Sequence, residues 1–259
     1  MHRLNKEKKM AGHSHWAGIK YKKALADAKK GKLFSKIARR LSMAAKTGGG
    51  DPDTNLELRY AIDEAKAANM PKDNVERAIN KGLGNIEGVS YEPVIYEGYG
   101  PGGVAIMVEA LTDNRNRTAS EIRKIFERNG GNLGETGCVA WMFERKGVVT
   151  VRAEGVDEDE LMLAVMDAGA ENMERVDDIM EITTGVAGLH EVKSALDDGD
   201  FEVKKAEMQN VPKSIVDLDA EQGRKILRLV EALDDQDDVE SVSANFNVPD
   251  DVMAEMAEA

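Results

Sequence analysis

Residues 30–52 read KGKLFSKIARRLSMAAKTGGGDP, and this stretch shapes both the fold and the charge distribution of the N-terminal part. At 100° per residue its apolar and basic side chains fall on opposite arcs, which predicts an amphipathic helix. The apolar arc must pack against other elements, and we expect the basic arc to face out. Glycine adopts left-handed geometry and proline cannot continue a helix, so TGGGDP predicts the helix end. The apolar arc contains Leu33, Phe34, Ile37, Ala38, Leu41, Ala44 and Ala45, and the basic arc contains Lys32, Ser35, Lys36, Arg39, Arg40 and Lys46.

Charge is distributed unevenly along the 259-residue chain. Residues 1–50 contain 14 lysines and arginines against Glu7 and Asp27, a balance of +12; the total is −13, so the other residues carry −25. This asymmetry indicates an anionic partner for the basic segment, because a uniformly acidic protein would repel nucleic acid and anionic lipid. The alternative interpretation is a solvated helix that is simply rich in lysine.

The composition, with 42% hydrophobic and 32% charged residues, is typical of a soluble globular protein, and the length suits two or three domains. No window approaches the roughly 18 consecutive apolar residues that span a bilayer, and the N-terminus lacks the apolar core of a signal peptide. Cys138 is the single cysteine, and its apolar setting favours a buried structural thiol. We therefore expect a cytoplasmic protein that uses no membrane.

Hydrophobic periodicity divides the chain into domains. Helices over 53–69 and 71–81 complete a helical domain, with Pro71 in a first-turn position. Later segments have strand patterns, among them residues 104–111, 138–143 and 242–248, and the helices between them are capped and amphipathic. The acidic segment 146–210 reads as strand, helix, strand, helix, strand, which predicts an insertion. The predicted fold class is α+β and multi-domain: an N-terminal all-helical domain is followed by two small α/β sandwich (ferredoxin-like) domains, one inserted in the other. The helical domain covers residues 10–84, the first α/β domain covers 85–145 plus 211–249, and the acidic inserted α/β domain covers 146–210. Flexible tails are predicted at 1–9 and 250–259.

Two of these helices have recognisable start signals. In TASE, Thr118 lies three residues before Glu121, which predicts a capping box, and in DAEQ, Asp219 stands in the same relation to Gln222. The glycine-rich stretch YEGYGPGGVAI lacks the Lys-Ser/Thr ending of a phosphate-binding loop and lies between two strand patterns. It therefore favours a hairpin connection over a nucleotide site.

A second candidate anion or partner site lies in LTDNRNRTASE. Arginines, amides and the positive end of a helix come together there, a combination that can bind phosphate. A polar loop with a good cap is the alternative, and Asp113 weakens the case for an anion. The residues of this secondary site are Asn114, Arg115, Asn116 and Arg117.

The sequence shows no signature of catalysis. No Ser, His and Asp arrangement stands out by spacing, and His13 with His15 supplies only two of the three or four ligands of a usual zinc site. We predict no catalytic residues, no metal and no cofactor, although paired carboxylates cannot be recognised among 48 acidic residues without geometry. An enzyme stays the minority hypothesis.

Four long blocks, in order, carry a resemblance to a known family. They are MAGHSHWAGIKYKKALADAKKGKLFSKIARRL, ANMPKDNVERAINKG, YEGYGPGGVAIMVEALTDNRNRTASEIRK and GGNLGETGCVAWMFERKG. The chain resembles the YebC/PmpR family, which includes the mitochondrial translational activator of cytochrome c oxidase subunit I. The resemblance covers Met10 to about Gly147, with weaker similarity to Val248. Residues 1–9 precede the usual family start and are either a start-site artefact or a basic extension.

The resemblance implies three domains and non-enzymatic regulation of gene expression, as a DNA-binding transcriptional regulator or as a translation factor. Our leading hypothesis is a nucleic-acid-binding regulator of the YebC type; the alternative is a ribosome-associated translational activator that binds ribosomal RNA. Both use phosphate contacts, so the basic segment cannot separate DNA from RNA, and the oligomeric state stays open. The predicted nucleic-acid-binding residues are Lys20, Lys22, Lys23, Lys29, Lys30, Lys32, Lys36, Arg39, Arg40 and Lys46.

Overall fold

The structure is a computed structural model that describes residues 30–176, 178–249 and 252. Its first part is helical: α1 (Lys30–Gly48) packs against α2 (Leu56–Ala67) and α3 (Lys72–Gly82). The apolar arc predicted for α1 forms one side of their shared core. That core contains Ile37, Leu41, Ala44, Leu58, Ala61, Ala65, Met70 and Ala78.

Asn55 joins the end of α1 to the start of α2. Its Oδ1 accepts from the backbone N–H of Leu58 at 3.1 Å, and its Nδ2 donates to the carbonyls of Ala44 and Gly49 at 2.8 Å. Asparagine caps a helix in this way because its side-chain oxygen satisfies an otherwise unpaired N–H. Helix α2 therefore begins later than the sequence suggested, and Pro71 is the N-cap of α3 instead of a first-turn residue.

Two four-stranded antiparallel sheets follow, so the protein has the predicted α+β fold with a helical N-terminal region. No helix in the described part of the chain is long and apolar enough to cross a membrane. The remaining elements, in chain order, are β1 (Glu92–Tyr99), β2 (Ala105–Thr112), α4 (Arg115–Arg128), β3 (Asn132–Leu133), β4 (Phe143–Arg152), α5 (Glu158–Asp167), β5 (Ala170–Val176), β6 (Ile179–Thr184), α6 (Leu189–Asp198), β7 (Val203–Pro212), β8 (Val216–Asp217), α7 (Ala220–Asp234), β9 (Val239–Ala244) and β10 (Phe246–Asn247).

The first sheet has the order β3-β1-β2-β9. Helices α4 and α7 cover one face, where Ile122 and Phe126 meet Ile226 and Leu229 over the strands. The loop before β4 covers the opposite face through a small cluster that includes Met107 and Val139. The hairpin predicted at the glycine-rich stretch is confirmed by the antiparallel register of β1 and β2.

The second sheet has the order β5-β6-β4-β7. Its chain order, strand, helix, strand, strand, helix, strand, is that of a ferredoxin-like unit. Helices α5 and α6 pack on one face through Leu161, Val165, Val192 and Leu196. All four strands fall between β3 and β9 in the sequence, so the chain leaves the first sheet and later returns to it.

Three local predictions need correction. Residues 138–143 are not a strand: a 3-10 turn covers Ala140–Met142, and β4 starts at Phe143. The capping box at Thr118 is wrong, because α4 begins a turn earlier with Asn114 as its N-cap. Strand β5 was missed, because its sequence AENMERV is largely polar and gives no apolar alternation. The Asp219 cap is confirmed, with Oδ1 accepting from Gln222 N at 2.8 Å.

Candidate nucleic-acid interface

Five of the ten predicted nucleic-acid-binding residues have described side chains, all of them on α1: Lys32, Lys36, Arg39, Arg40 and Lys46. Only the backbone of Lys30 is described, at the start of this helix. The remaining predictions lie outside the described residues, namely Lys20, Lys22, Lys23 and Lys29.

The first four of these side chains form what we call the cationic face: Lys32, Lys36, Arg39 and Arg40. It lies against residues 234–240, DDQDDVE, which run from the end of α7 into β9 and which we call the acidic turn. The expectation that the basic arc faces solvent is therefore wrong for Lys36, Arg39 and Arg40, because the acidic turn packs on the helix there, whereas Lys32, Ser35 and Lys46 are exposed. The side chains of Lys36, Arg39 and Arg40 are only 16, 14 and 24% exposed, whereas that of Lys32 is 55% exposed.

The two lysines contact the N-terminal half of the acidic turn. Lys32 Nζ donates to the carbonyl of Asp235 at 3.0 Å and lies 3.8 Å from Asp237 Oδ1. Lys36 Nζ donates to the carbonyl of Asp234 at 2.7 Å and lies 4.0 Å from Oδ1 of the same residue. Each ammonium thus binds a backbone oxygen, with a carboxylate nearby. The carbonyls at the C-terminal end of α7 also carry the negative end of that helix dipole.

The two arginines contact the C-terminal half. Arg39 Nη1 donates to the carbonyl of Asp237, and its Nη2 lies 3.7 Å from Asp238 Oδ1. Its guanidinium also lies over the ring of Tyr91, 5.8 Å from the centroid, within cation–π range. This contact links the cationic face to the residue that precedes β1.

Arg40 is held between two carboxylates. Its Nε donates to Glu240 Oε2 and its Nη2 to the Glu240 carbonyl at 3.0 Å, while Nη1 donates to both oxygens of Glu64 at 3.0 and 2.8 Å. Burial by itself lowers the pKa of Arg40, but the charges of Glu240 and Glu64 more than offset this and raise the pKa. The guanidinium is the charged centre of the contact between the helical region and the first sheet.

Lys46 points to a different partner. Its Nζ donates to Ser90 Oγ at 2.8 Å and to the Tyr91 carbonyl at 3.3 Å, in the segment that leads into β1. The structure therefore separates Lys46 from the cationic face by its contacts.

The secondary site is also filled by carboxylates. Asn114 Oδ1 caps α4 by accepting from Arg117 N at 3.1 Å, so its oxygen is already in use. Arg115 Nε lies 3.3 Å from Glu92 Oε1, and Arg117 Nη2 donates to Asp113 and Asp238 at 2.7 Å each. Asn116 is exposed in the first turn of α4.

Asp238 joins the two candidate sites. Its Oδ2 accepts from Arg117 Nη2 and Thr118 Oγ1 at 2.7 Å, and its Oδ1 faces Arg39. Burial by itself raises the pKa of Asp238, but the hydrogen bonds from Arg117 and Thr118 and the charges of Arg117 and Arg39 lower it. The carboxylate is therefore ionised at neutral pH and stands between the cations of both predicted sites.

Sequence reasoning missed the acidic turn as part of the site. The signal was present, since residues 234–240 contain five carboxylates in seven positions, the opposite charge to α1. Its pairing with residues some 200 positions earlier cannot be read from local periodicity, because α1 and the acidic turn meet only in the folded chain.

The described residues contain no group of three or more histidine, cysteine or acidic side chains placed to hold a metal ion. Cys138 is half-buried, and burial together with the charges of Glu97 and Glu135 raises the pKa of its thiol. A raised pKa disfavours the thiolate, which is the nucleophilic form. This agrees with a structural role for Cys138.

Comparison with known proteins identifies relatives along most of the chain. The profile of the TACO1/YebC protein N-terminal domain matches residues 14–85, and that of the TACO1/YebC second and third domain matches residues 91–246. A protein of Dictyoglomus turgidum named "Probable transcriptional regulatory protein" is 52% identical over 249 residues, which are 96% of this chain and all of the relative. A protein of the same name from Natranaerobius thermophilus is 51% identical, over 94% of this chain and 99% of the relative.

A solved structure is also similar. The crystal structure of a conserved hypothetical protein from Aquifex aeolicus matches with a TM-score of 0.86 and 49% identity, covering 91% of this chain and 97% of that chain. The arrangement of a helical region and two sheets is therefore shared with an experimentally determined structure.

Proposed function

Because the chain belongs to the TACO1/YebC family, whose relatives carry the name probable transcriptional regulatory protein, we propose that it is a non-enzymatic, nucleic-acid-binding regulator of gene expression. It binds through the phosphates of its target, and the basic N-terminal segment carries the contacts. The acidic remainder of the chain, with a balance of −25, takes no direct part in that binding.

The observation that carries the proposal is the cationic face itself. Four cations on one side of a single helix hold carbonyl and carboxylate oxygens of the acidic turn. Phosphate oxygens are acceptors of the same kind, and arginine and lysine bind them by charge-assisted hydrogen bonds. Lys32 and Arg40 are eight residues apart, roughly 12 Å along a helix, which is the rise of three to four base pairs.

Further lysines extend the same charge, namely Lys30 at the start of α1 and, upstream of it, Lys20, Lys22, Lys23 and Lys29. Phosphate contacts fix affinity and register but carry no base identity. We therefore propose a binder whose affinity is mainly electrostatic. The DNA-binding regulator is the leading form of the proposal, and ribosomal RNA is the competing target because its phosphates are equally dense.

The salt dependence of binding tests this proposal. We would measure the affinity for a fluorescent 20-bp DNA duplex, and for a ribosomal RNA hairpin, by anisotropy between 50 and 300 mM salt. About six phosphate contacts on duplex DNA predict a slope near −5 for log affinity against log salt. An affinity that does not change with salt would contradict the electrostatic account.

A charge-neutralising pair locates the binding segment. We expect Lys22→Gln with Lys23→Gln to weaken binding and to reduce the salt slope by about 2, since each lost phosphate contact removes about one unit. The matched control is Lys66→Gln with Lys72→Gln, whose side chains are exposed on α2 and α3. An equal loss in both variants would show that net charge, and not the N-terminal segment, sets the affinity.

A further inference from the structure

We infer that the acidic turn is an intramolecular competitor of nucleic acid: it occupies the cationic face of α1, and a bound nucleic acid displaces it. The inference rests on the proposed function and concerns the regulation of that same site. It starts from the position of the acidic turn, whose oxygens already contact each of the four cations.

The contact covers the face too closely for both ligands to bind at once. Lys36, Arg39 and Arg40 are largely covered, and Arg40 is fixed by Glu64 on one side and Glu240 on the other. A phosphate can approach Lys32 in this arrangement, since that side chain is 55% exposed. Full engagement of the face requires the acidic turn to leave.

We call the arrangement in which the acidic turn covers the cationic face the closed arrangement. It leaves a buried polar atom without a hydrogen bond. Within the described part of the chain, Glu240 Oε1 is buried without a hydrogen-bond partner. It lies where the acidic turn meets α1, since Oε2 of the same carboxylate accepts from Arg40 Nε. A buried polar atom without a partner opposes closure, so the interface is not optimised for stability alone.

Each closing contact replaces a contact that nucleic acid would make. The apparent dissociation constant for nucleic acid is then the intrinsic value divided by the fraction of open molecules. Weakening the acidic turn must therefore increase affinity without any change in α1. A substitution at a binding surface usually lowers affinity. An increase in affinity would therefore distinguish competition by the acidic turn from a direct role in binding.

The test uses the full-length chain with Asp234→Asn and Asp237→Asn. These side chains face Lys36 and Lys32, and the substitutions keep the shape of the acidic turn. The control is Asp198→Asn with Asp200→Asn, which removes the same charge at the end of α6, where both residues are exposed. Thermal unfolding of both variants checks that they fold.

We expect the variant in the acidic turn to bind the 20-bp duplex about two- to tenfold more tightly, the range that two partly exposed ion pairs provide, while the control changes little. Equal gains in both variants would overturn the inference, because loss of net negative charge would then explain them. A different outcome separates the two proposals. If Lys22→Gln with Lys23→Gln loses binding but the acidic turn variant does not bind more tightly, the proposed function stands. Only the competition between the acidic turn and nucleic acid is then overturned.

A second readout follows the opening directly. Dyes on Lys72→Cys in the helical region and Lys225→Cys on α7, in a Cys138→Ser background, report the distance between the two parts. We expect saturating duplex to change the efficiency of energy transfer between the two dyes. In the acidic turn variant, the same change should occur at a lower duplex concentration. An unchanged efficiency at full occupancy would contradict displacement of the acidic turn.

Discussion

At the scale of single residues, the structure depends on carboxylates in unusual positions. Glu97 on β1 is 4% exposed, yet no cation neutralises it in the described contacts; its oxygens accept from the backbone N–H of Gly137, Val139 and Ala140 at 2.6 to 2.8 Å. The side chain therefore fixes the loop that covers the outer face of the first sheet. Its role is structural and lies outside the candidate nucleic-acid interface.

We predict that Glu97→Gln destabilises the fold. An amide has one acceptor oxygen where the carboxylate has two, and it carries no charge. All three N–H groups therefore lose a charged acceptor, and at least one loses its acceptor altogether, at about 1–3 kcal/mol. Urea unfolding of the variant against the exposed control Glu135→Gln measures the difference. Affinity for nucleic acid should be retained, and a Glu97→Gln variant as stable as the control would contradict this role.

The same residue predicts a dependence on pH. Burial by itself raises the pKa of Glu97, but the three backbone hydrogen bonds lower it below the ordinary value of 4.5. A lowered pKa in the folded state means that the stabilisation is present above the unfolded pKa and is lost as the pH falls through the folded one. The difference in the free energy of unfolding between wild type and Glu97→Gln should thus be constant near pH 7 and become smaller below about pH 4. A gap that widens in acid would disagree with the ionised carboxylate.

At the scale of elements, close backbone packing of α1 on α3 fixes the position of the cationic face. A Cβ added to Gly82 would lie 2.1 Å from the Ser42 carbonyl oxygen, whereas one added to Gly31 meets nothing within 4 Å. Gly82 is therefore required by the approach of two helices. Gly31 lies at the open end of α1, where alanine fits.

These two glycines give a matched pair of variants. We expect Gly82→Ala to lower the midpoint of thermal unfolding strongly, because backbone atoms must shift to relieve the overlap. Gly31→Ala should leave the midpoint unchanged or raise it slightly, because alanine favours a helix over glycine by up to about 1 kcal/mol. Equal effects of the two substitutions would contradict the packing of α1 on α3.

Prediction from the sequence succeeded where local rules decide. The apolar arc of α1 and the Asp219 cap follow from periodicity and side-chain hydrogen bonding, and both are present. Prediction failed where a neighbour decides: residues 138–143 have the composition of a strand, but their N–H groups bind the Glu97 carboxylate instead of a partner strand. Strand β5 is polar because it is an edge strand, and edge strands avoid apolar surfaces.

At the scale of the whole molecule, the two candidate anion sites proved to share one acidic turn. The clusters of arginine and lysine from which both candidate sites are predicted are visible in the sequence. Their contacts with Asp238 could not, since this residue reaches Arg39 and Arg117 only in the assembled structure. The domain boundaries predicted from the sequence stay a prediction, and the fold class is confirmed by the two antiparallel sheets and the helical region.

The opposite charges of the two ends of the chain acquire a physical meaning at this scale. The segment of +12 charge would repel itself if it were left unpaired, and in the closed arrangement the acidic turn pairs with the four cations of the cationic face. Nucleic acid offers the same face a denser array of anionic oxygens. In the proposed mechanism, one cationic face binds the acidic turn and nucleic acid in turn.

Photo-crosslinking in living cells tests whether nucleic acid binds the cationic face. The attached nucleic acid is sequenced, and the attached peptides are mapped by mass spectrometry. We expect the crosslinked peptides to come from residues 20–46, and the attached DNA or ribosomal RNA to identify the target. Crosslinks confined to the two sheets, with none in residues 20–46, would contradict this expectation.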